Sequence, residues 1–255
     1  MAEIGSPLFI LREECAKDLM AVLEKLAQTG YDGIEFLGFF GHKPSDIKKK
    51  LDSCGIKAVG DHVAFGYFAE NTAKVIDEHK EIGCEYITVG GPGTDGMPGG
   101  ANYSRTIEIF EKLGEAMNNA GMKLLYHNHA EELKTKINGK TILEIMLDDT
   151  RPDLLFFEPD LGWISIGGGN PAYYLEKYKE RCPVIHFKDY IGAGDGFLFR
   201  PTGYGVMNNA ELYALSLPCN PEWYIMDHDC AYERDIYFDL AVSLDYFKNL
   251  MAVAK

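Results

Sequence analysis

Apolar residues fall along the chain in short runs, and longer stretches with helical spacing separate them. Strand-length runs occupy residues 8–11, 33–37, 57–60, 86–89, 122–126, 154–157, 184–187 and 223–226. Between the first two, Leu19, Val22, Leu23 and Leu26 form a helical stripe that Gly30 ends. Ile47, Leu51 and Cys54 make a shorter one stopped by Gly55. Ile107, Phe110, Leu113 and Met117 make another, stopped by Gly121. Pro171 suits the first position of a further helix, and residues 235–253 predict a long terminal one. Eight strand–helix units with no hairpin signal predict a parallel sheet closed on itself, a single (β/α)8 barrel over residues 1–255. The open, doubly wound alternative has no GxGxxG after its first run.

Four of the runs end in acids and histidines. They read Leu124-Leu125-Tyr126-His127-Asn128-His129, Leu155-Phe156-Phe157-Glu158-Pro159-Asp160, Val184-Ile185-His186-Phe187-Lys188-Asp189 and Trp223-Tyr224-Ile225-Met226-Asp227-His228-Asp229. Working residues of such barrels lie at the carboxyl ends of the strands. Four consecutive strands ending in imidazole and carboxylate therefore predict one cage for a divalent ion. Glu35 lies within the second run, and Asp61 and His62 follow the third.

Composition narrows the function classes. A chain of 255 residues that is 46% hydrophobic buries a large core, and a formal charge of −14 disfavours nucleic-acid partners. No stretch approaches the ~20 apolar residues of a membrane span, and the start lacks the pattern of a secretion signal. Six cysteines without a CxxC pair predict free thiols. The expectation is a soluble cytoplasmic protein acting on a small molecule, with the oligomeric state open and a homo-oligomer among the options.

The order of Tyr31-Asp32-Gly33-Ile34-Glu35-Phe36, Tyr126-His127-Asn128-His129, Asp160-Leu161-Gly162-Trp163, His186-Phe187-Lys188-Asp189 and Asp227-His228-Asp229 resembles the xylose isomerase-like TIM barrels. That family includes sugar phosphate isomerases/epimerases, hydroxypyruvate isomerase and inosose dehydratase. The resemblance spans nearly the whole chain. It implies one divalent ion (Mn, Zn, Co or Mg) held by His127 or a neighbour, Asp160, His186 and Asp227. Such an ion grips a carbonyl and a vicinal hydroxyl of a sugar, acidifies the C–H between, and stabilises the ene-diolate. The implied activity is a metal-dependent sugar isomerase or epimerase. Elimination on the same site, by a keto-inositol dehydratase or a 3-keto-glycoside lyase, is the alternative, and a non-catalytic sugar-binding barrel is a further one. An abasic-site endonuclease shares the fold but needs more histidines and a basic face.

Two positions depart from the family. Where many of its epimerases carry glutamates on strands five and eight, this chain has His127 and Asp227. Candidates for proton transfer are then His129, Glu158 and Asp227, with Glu132 as a further base, and the His-Asn-His step leans towards the dehydratase branch. Glu35, His62, Trp163 and Lys188 are the expected sugar contacts, against a plainer reading as packing or charge balance, with Lys188 neutralising Asp189 and Glu158. His127 and His129 should face opposite ways if the strand continues through both. His228 reads as a core histidine, and His42 and His79 as surface positions. The glycine-rich segments after the fourth and seventh runs, residues 90–100 and 192–205, match no P-loop or dinucleotide fingerprint and read as loops over the mouth.

Overall fold

Alternate residues of each strand go to two different cores. Outward-facing Ile34, Tyr126, Phe157, Ile185, Phe187, Tyr224 and Met226 are buried with the apolar stripes of the surrounding helices. Inward-facing Val59, Tyr86, Leu125, Val184, Trp223 and Ile225 make a separate, smaller cluster inside the barrel. One pleat repeat further along the same strands, the inward positions are His127, Glu158, His186 and Asp227. An apolar floor thus carries a polar layer, which is why these runs read as continuously hydrophobic until their last residues.

The computed structural model describes residues 2–253. Its barrel strands are β1 Glu3–Pro7, β2 Gly33–Phe36, β3 Lys57–His62, β4 Tyr86–Val89, β5 Lys123–His127, β6 Phe156–Glu158, β7 Val184–Ile191 and β8 Trp223–Asp227. Sequential neighbours pair in parallel from β1 to β6, β7 pairs with β8, and β8 pairs with β1. The remaining seam, β6 against β7, closes through one parallel bridge between Asp160 and His186. There the His186 N–H donates to the Pro159 carbonyl at 2.9 Å. Among the described residues no helix is long and apolar enough to cross a membrane.

Three expectations are corrected. The first apolar run is not a strand: Phe9–Leu11 is a 3-10 turn leading into the helix Arg12–Thr29. The true first strand, Glu3–Pro7, is poor in apolar residues because its neighbours leave little room. A Cβ on Gly5 would lie 2.5 Å from Ile225 Cδ1, and one on Gly33 in β2 would lie 2.6 Å from the Trp223 ring. The chain also contains antiparallel pairing. Lys136–Ile137 and Lys140–Thr141 form a hairpin across Asn138-Gly139, both with positive φ, and Leu198–Arg200 runs antiparallel to β7. Asn-Gly is the strongest two-residue hairpin signal. Finally, His79 is buried, at 4% exposure, and not on the surface.

Candidate metal and proton-transfer site

Pro7, Glu35, His62, His127, His129, His186, Lys188, Asp227 and Asp229 converge on a cavity of about 320 Å³ at the carboxyl ends of the strands. Its inner end is a network of imidazoles and carboxylates. His186 lies at its centre, with Nδ1 3.1 Å from Asp227 Oδ2 and Nε2 3.1 Å from Glu35 Oε1. His62 Nε2 is 3.2 Å from both Glu35 Oε2 and Glu158 Oε2. His127 Nδ1 is 3.1 Å from Glu158 Oε2, and Thr88 donates to Glu158 Oε1.

Lys188 lies beside this network at 1% exposure. Its Nζ is 2.9 Å from Asp160, 3.1 Å from Asp227 and 2.8 Å from Asp229. The Trp163 and Phe199 rings flank the ammonium at 4.9 and 5.4 Å. Its partners are therefore not the Asp189 and Glu158 expected from sequence. Asp189 faces away, accepting from the backbone of Gly203, Gly205 and Met207 and from Asn209 Nδ2, and so ties down the loop after β7.

Charge states follow from this packing. Burial disfavours charge on Glu35, but His186 and His62 outweigh it and hold the carboxyl well below the usual range. The same exchange lifts His62 to about 10: burial opposes its charge, while Glu35 and Glu158 favour it. Burial and the neighbouring Glu35 raise Glu158 to about 7. Burial raises Asp160 to about 6 in spite of Lys188. Burial also opposes charge on Asp227, but Lys188 and His186 keep it ionised. His127 is driven neutral by burial and by the surrounding cations. Burial and Lys188 lower His129 to about 4.

The donor chemistry suits a divalent cation. Asp160, His186 and Asp227 offer ligand atoms within 4.8 Å of one another, and so do His62, His127, Glu158 and His186. Asp227 Oδ1 is buried without a hydrogen-bond donor and has a lone pair to give, and Asp160 Oδ2, beside the Lys188 ammonium at 2.9 Å, has a second one. Asp160 Oδ1 is already fixed by the Trp163 N–H at 2.8 Å. His127 Nε2, of the second group, stands 3.8 Å from Asp160 Oδ2 of the first.

β5 ends at His127, so strand alternation stops there and both His127 and His129 reach the cavity, ring centroids 5.1 Å apart. Among the described residues, no carboxylate pairs with the His129 ring. Glu132 accepts from Tyr126 Oη at 2.8 Å and from the His129 N–H at 3.1 Å, which fixes the backbone carrying that ring. Trp163 does not line the cavity; it packs behind it, against His129, Phe197 and Phe199. Glu158 and Asp160 lie beneath the cavity surface, at 1% and 0% exposure. His228 is a core residue 3.5 Å from Asp239. Sequence reasoning noted Asp61 after the third run but missed its partner His79; their 2.7 Å contact lies under the β2 and β3 ends, with Asp61 also accepting from the Gly38 N–H.

The family model described as xylose isomerase-like TIM barrel matches residues 23–215. The chain belongs to the xylose isomerase-like TIM barrel family. Among its relatives in that family is an inosose dehydratase from Geobacillus kaustophilus, 26% identical over 66% of this chain and 61% of that protein. The chain thus spans about three fifths of the length of that relative. A sugar phosphate isomerase/epimerase from Parabacteroides distasonis superposes with a TM-score of 0.78 at 24% identity, covering 96% of this chain and 93% of that one. A xylose isomerase-like TIM barrel protein from Mycobacterium smegmatis, in complex with magnesium, superposes with a TM-score of 0.73 at 16% identity, covering 100% and 98%.

Proposed function

We propose that this xylose isomerase-like barrel is a divalent-metal-dependent enzyme that removes a proton next to the carbonyl of a sugar derivative and completes the reaction by elimination. Asp160, His186 and Asp227 hold the ion, with His127 beside them. When bound there, the ion supplies positive charge next to the substrate carbonyl and its neighbouring hydroxyl. His129 takes the proton on Nδ1 or Nε2. His62, kept cationic by Glu35 and Glu158, returns a proton to the departing hydroxyl or alkoxyl oxygen. Lys188 keeps Asp227 and Asp229 occupied and the charge of the acid cluster balanced.

The observation that carries this reading is the asymmetry of the cavity walls. On the β5 side, His129 presents a ring free of carboxylate partners. On the β8 side, Asp227 and Asp229 are both engaged by Lys188. Epimerisation by two bases needs a free acceptor on each face of the carbon; elimination needs one base and one acid. The inosose dehydratase relative is a dehydratase by name. Isomerisation or epimerisation shares the first proton transfer and differs only in the fate of the ene-diolate.

The test is incubation with keto-inositols, ketoses and 3-keto-glucosides in deuterated buffer with Mn or Mg, followed by NMR and mass spectrometry. An unsaturated product formed with loss of water or alcohol supports elimination. A deuterated epimer or aldose with no elimination product identifies an isomerase or epimerase instead. No exchange in any substrate sinks both.

A further inference from the structure

A second cavity of about 930 Å³ opens beside the first. Gly90, Gly91 and His129 line both, so the two adjoin at the proposed base. One wall is the glycine-rich loop from Gly90 to Ala101, and the other comprises Glu131, Glu132, Thr135 and Ile142. Gly91, Gly93 and Gly99 have φ of 139°, 79° and 87°, so this wall presents bare backbone. Asp95 and Glu131 add acceptors, while Met97, Pro98, Ala101 and Ile142 add apolar surface.

Two features define the occupant. First, among the described residues no lysine or arginine lines the outer cavity, and Lys188, the sole one lining the inner cavity, is clasped by three carboxylates. The outer cavity thus offers no lysine or arginine to a phosphoryl group, and in the inner one the charge of His62 is already taken up by Glu35 and Glu158. Second, the inner cavity lies at the lower end of ligand-pocket volumes and the outer near the upper end. Carboxylates and backbone carbonyls accept from sugar hydroxyls, and the apolar patches cover C–H faces.

We propose that the Gly90–Ala101 groove is an outer subsite for a second, uncharged sugar ring joined by a glycosidic oxygen to the ring that reacts over the strand ends. The proposal rests on the strand-end site being the reacting centre. It defines the substrate as an unphosphorylated glycoside rather than a free or phosphorylated monosaccharide.

The experiment is calorimetric titration of the full chain in magnesium buffer. The probes are sophorose, laminaribiose, cellobiose and maltose, against methyl β-glucoside and glucose 6-phosphate. At least one disaccharide should bind 10-fold or more tightly than methyl β-glucoside, and glucose 6-phosphate no better than methyl β-glucoside. Ala101→Trp, which fills the groove from the loop side, should abolish most of that disaccharide preference. Thr135→Trp fills it from the opposite wall and guards against a folding defect in the first variant. Equal affinity for short and long ligands, tighter binding of the phosphate ester, or a preference untouched by both variants would overturn the subsite. Binding is read without turnover. If length dependence holds but no substrate exchanges protons, the groove stands and the strand-end mechanism fails. If exchange occurs with no length dependence, the mechanism stands and the groove fails.

Discussion

Lys188 Nζ lies 2.9 Å from Asp160 Oδ2, with both side chains at or below 1% exposure. The ammonium shares Asp160 and Asp227 with the place proposed for the ion. On that proposal, lysine and metal compete for, and jointly neutralise, one buried acid cluster. Removing one partner of a buried ion pair costs about 3–5 kcal/mol because the other charge is stranded.

It follows that Lys188→Met should lose thermal stability sharply in chelator and recover much of it on adding Mn or Mg. The wild-type protein should gain less from the same metal. Melting curves with and without metal check this. Equal metal-induced shifts in the two proteins would mean that lysine and ion do not share those carboxylates.

His129→Asn should lower kcat by about 10²–10⁴-fold, the usual contribution of a general base, while changing KM little. His129→Ala should behave alike, and the variants should keep their metal content. Steady-state kinetics on whichever substrate turns over, with metal analysis alongside, would test the assignment. A large rise in KM at unchanged kcat would make His129 a binding residue.

The barrel floor is crowded enough to test by overpacking. Gly33→Ala places a Cβ against the Trp223 ring and Val59 Cγ2, at 2.6 and 2.7 Å before relaxation. The expected loss is about 1–3 kcal/mol in a urea titration. An unchanged midpoint would show that Trp223 can move aside freely.

Away from the site, Glu144 caps the helix Ile142–Asp149 in a capping box with Thr141. Partial burial works against its charge. Hydrogen bonds from Tyr173, Thr141 and Lys177 outweigh that and lower it from its ordinary 4.5 to about 2. Between those values the unfolded chain binds more protons, so stability rises with pH across the window. The contribution is complete above about 4.5 and lost as pH falls through about 2. The difference in stability between wild type and Glu144→Gln should shrink over that range, and a constant difference would contradict it.

The sequence made most of this architecture legible, and the exceptions have physical causes. Helical stripes and seven of the strands are readable because each buries its outward face against a neighbour. β1 is not, since crowding at Gly5 removes the apolar residue that would mark it. Its place in the pattern was taken by Leu8 and Leu11, fully buried just before and at the end of the 3-10 turn. The candidate metal-site residues are legible as acids and histidines that directly follow or interrupt an apolar run, and all of them face the mouth of the barrel. Their pairing is not, because it depends on which side chains share a depth: Lys188 reaches Asp160 while adjacent Asp189 turns outward. His79 could have been found, since it lies on the same buried stripe as Val75, Ile76 and Ile82.

Asp160 and His186 are proposed to hold a divalent ion at the seam they close. Elemental analysis of purified wild type beside Asp160→Ala and His186→Ala, each after incubation with metal and desalting, decides the matter. About one equivalent of Mn, Mg, Zn or Co in wild type, lost in both folded variants, is the predicted result. No metal in wild type, or the same metal in all three proteins, would contradict it.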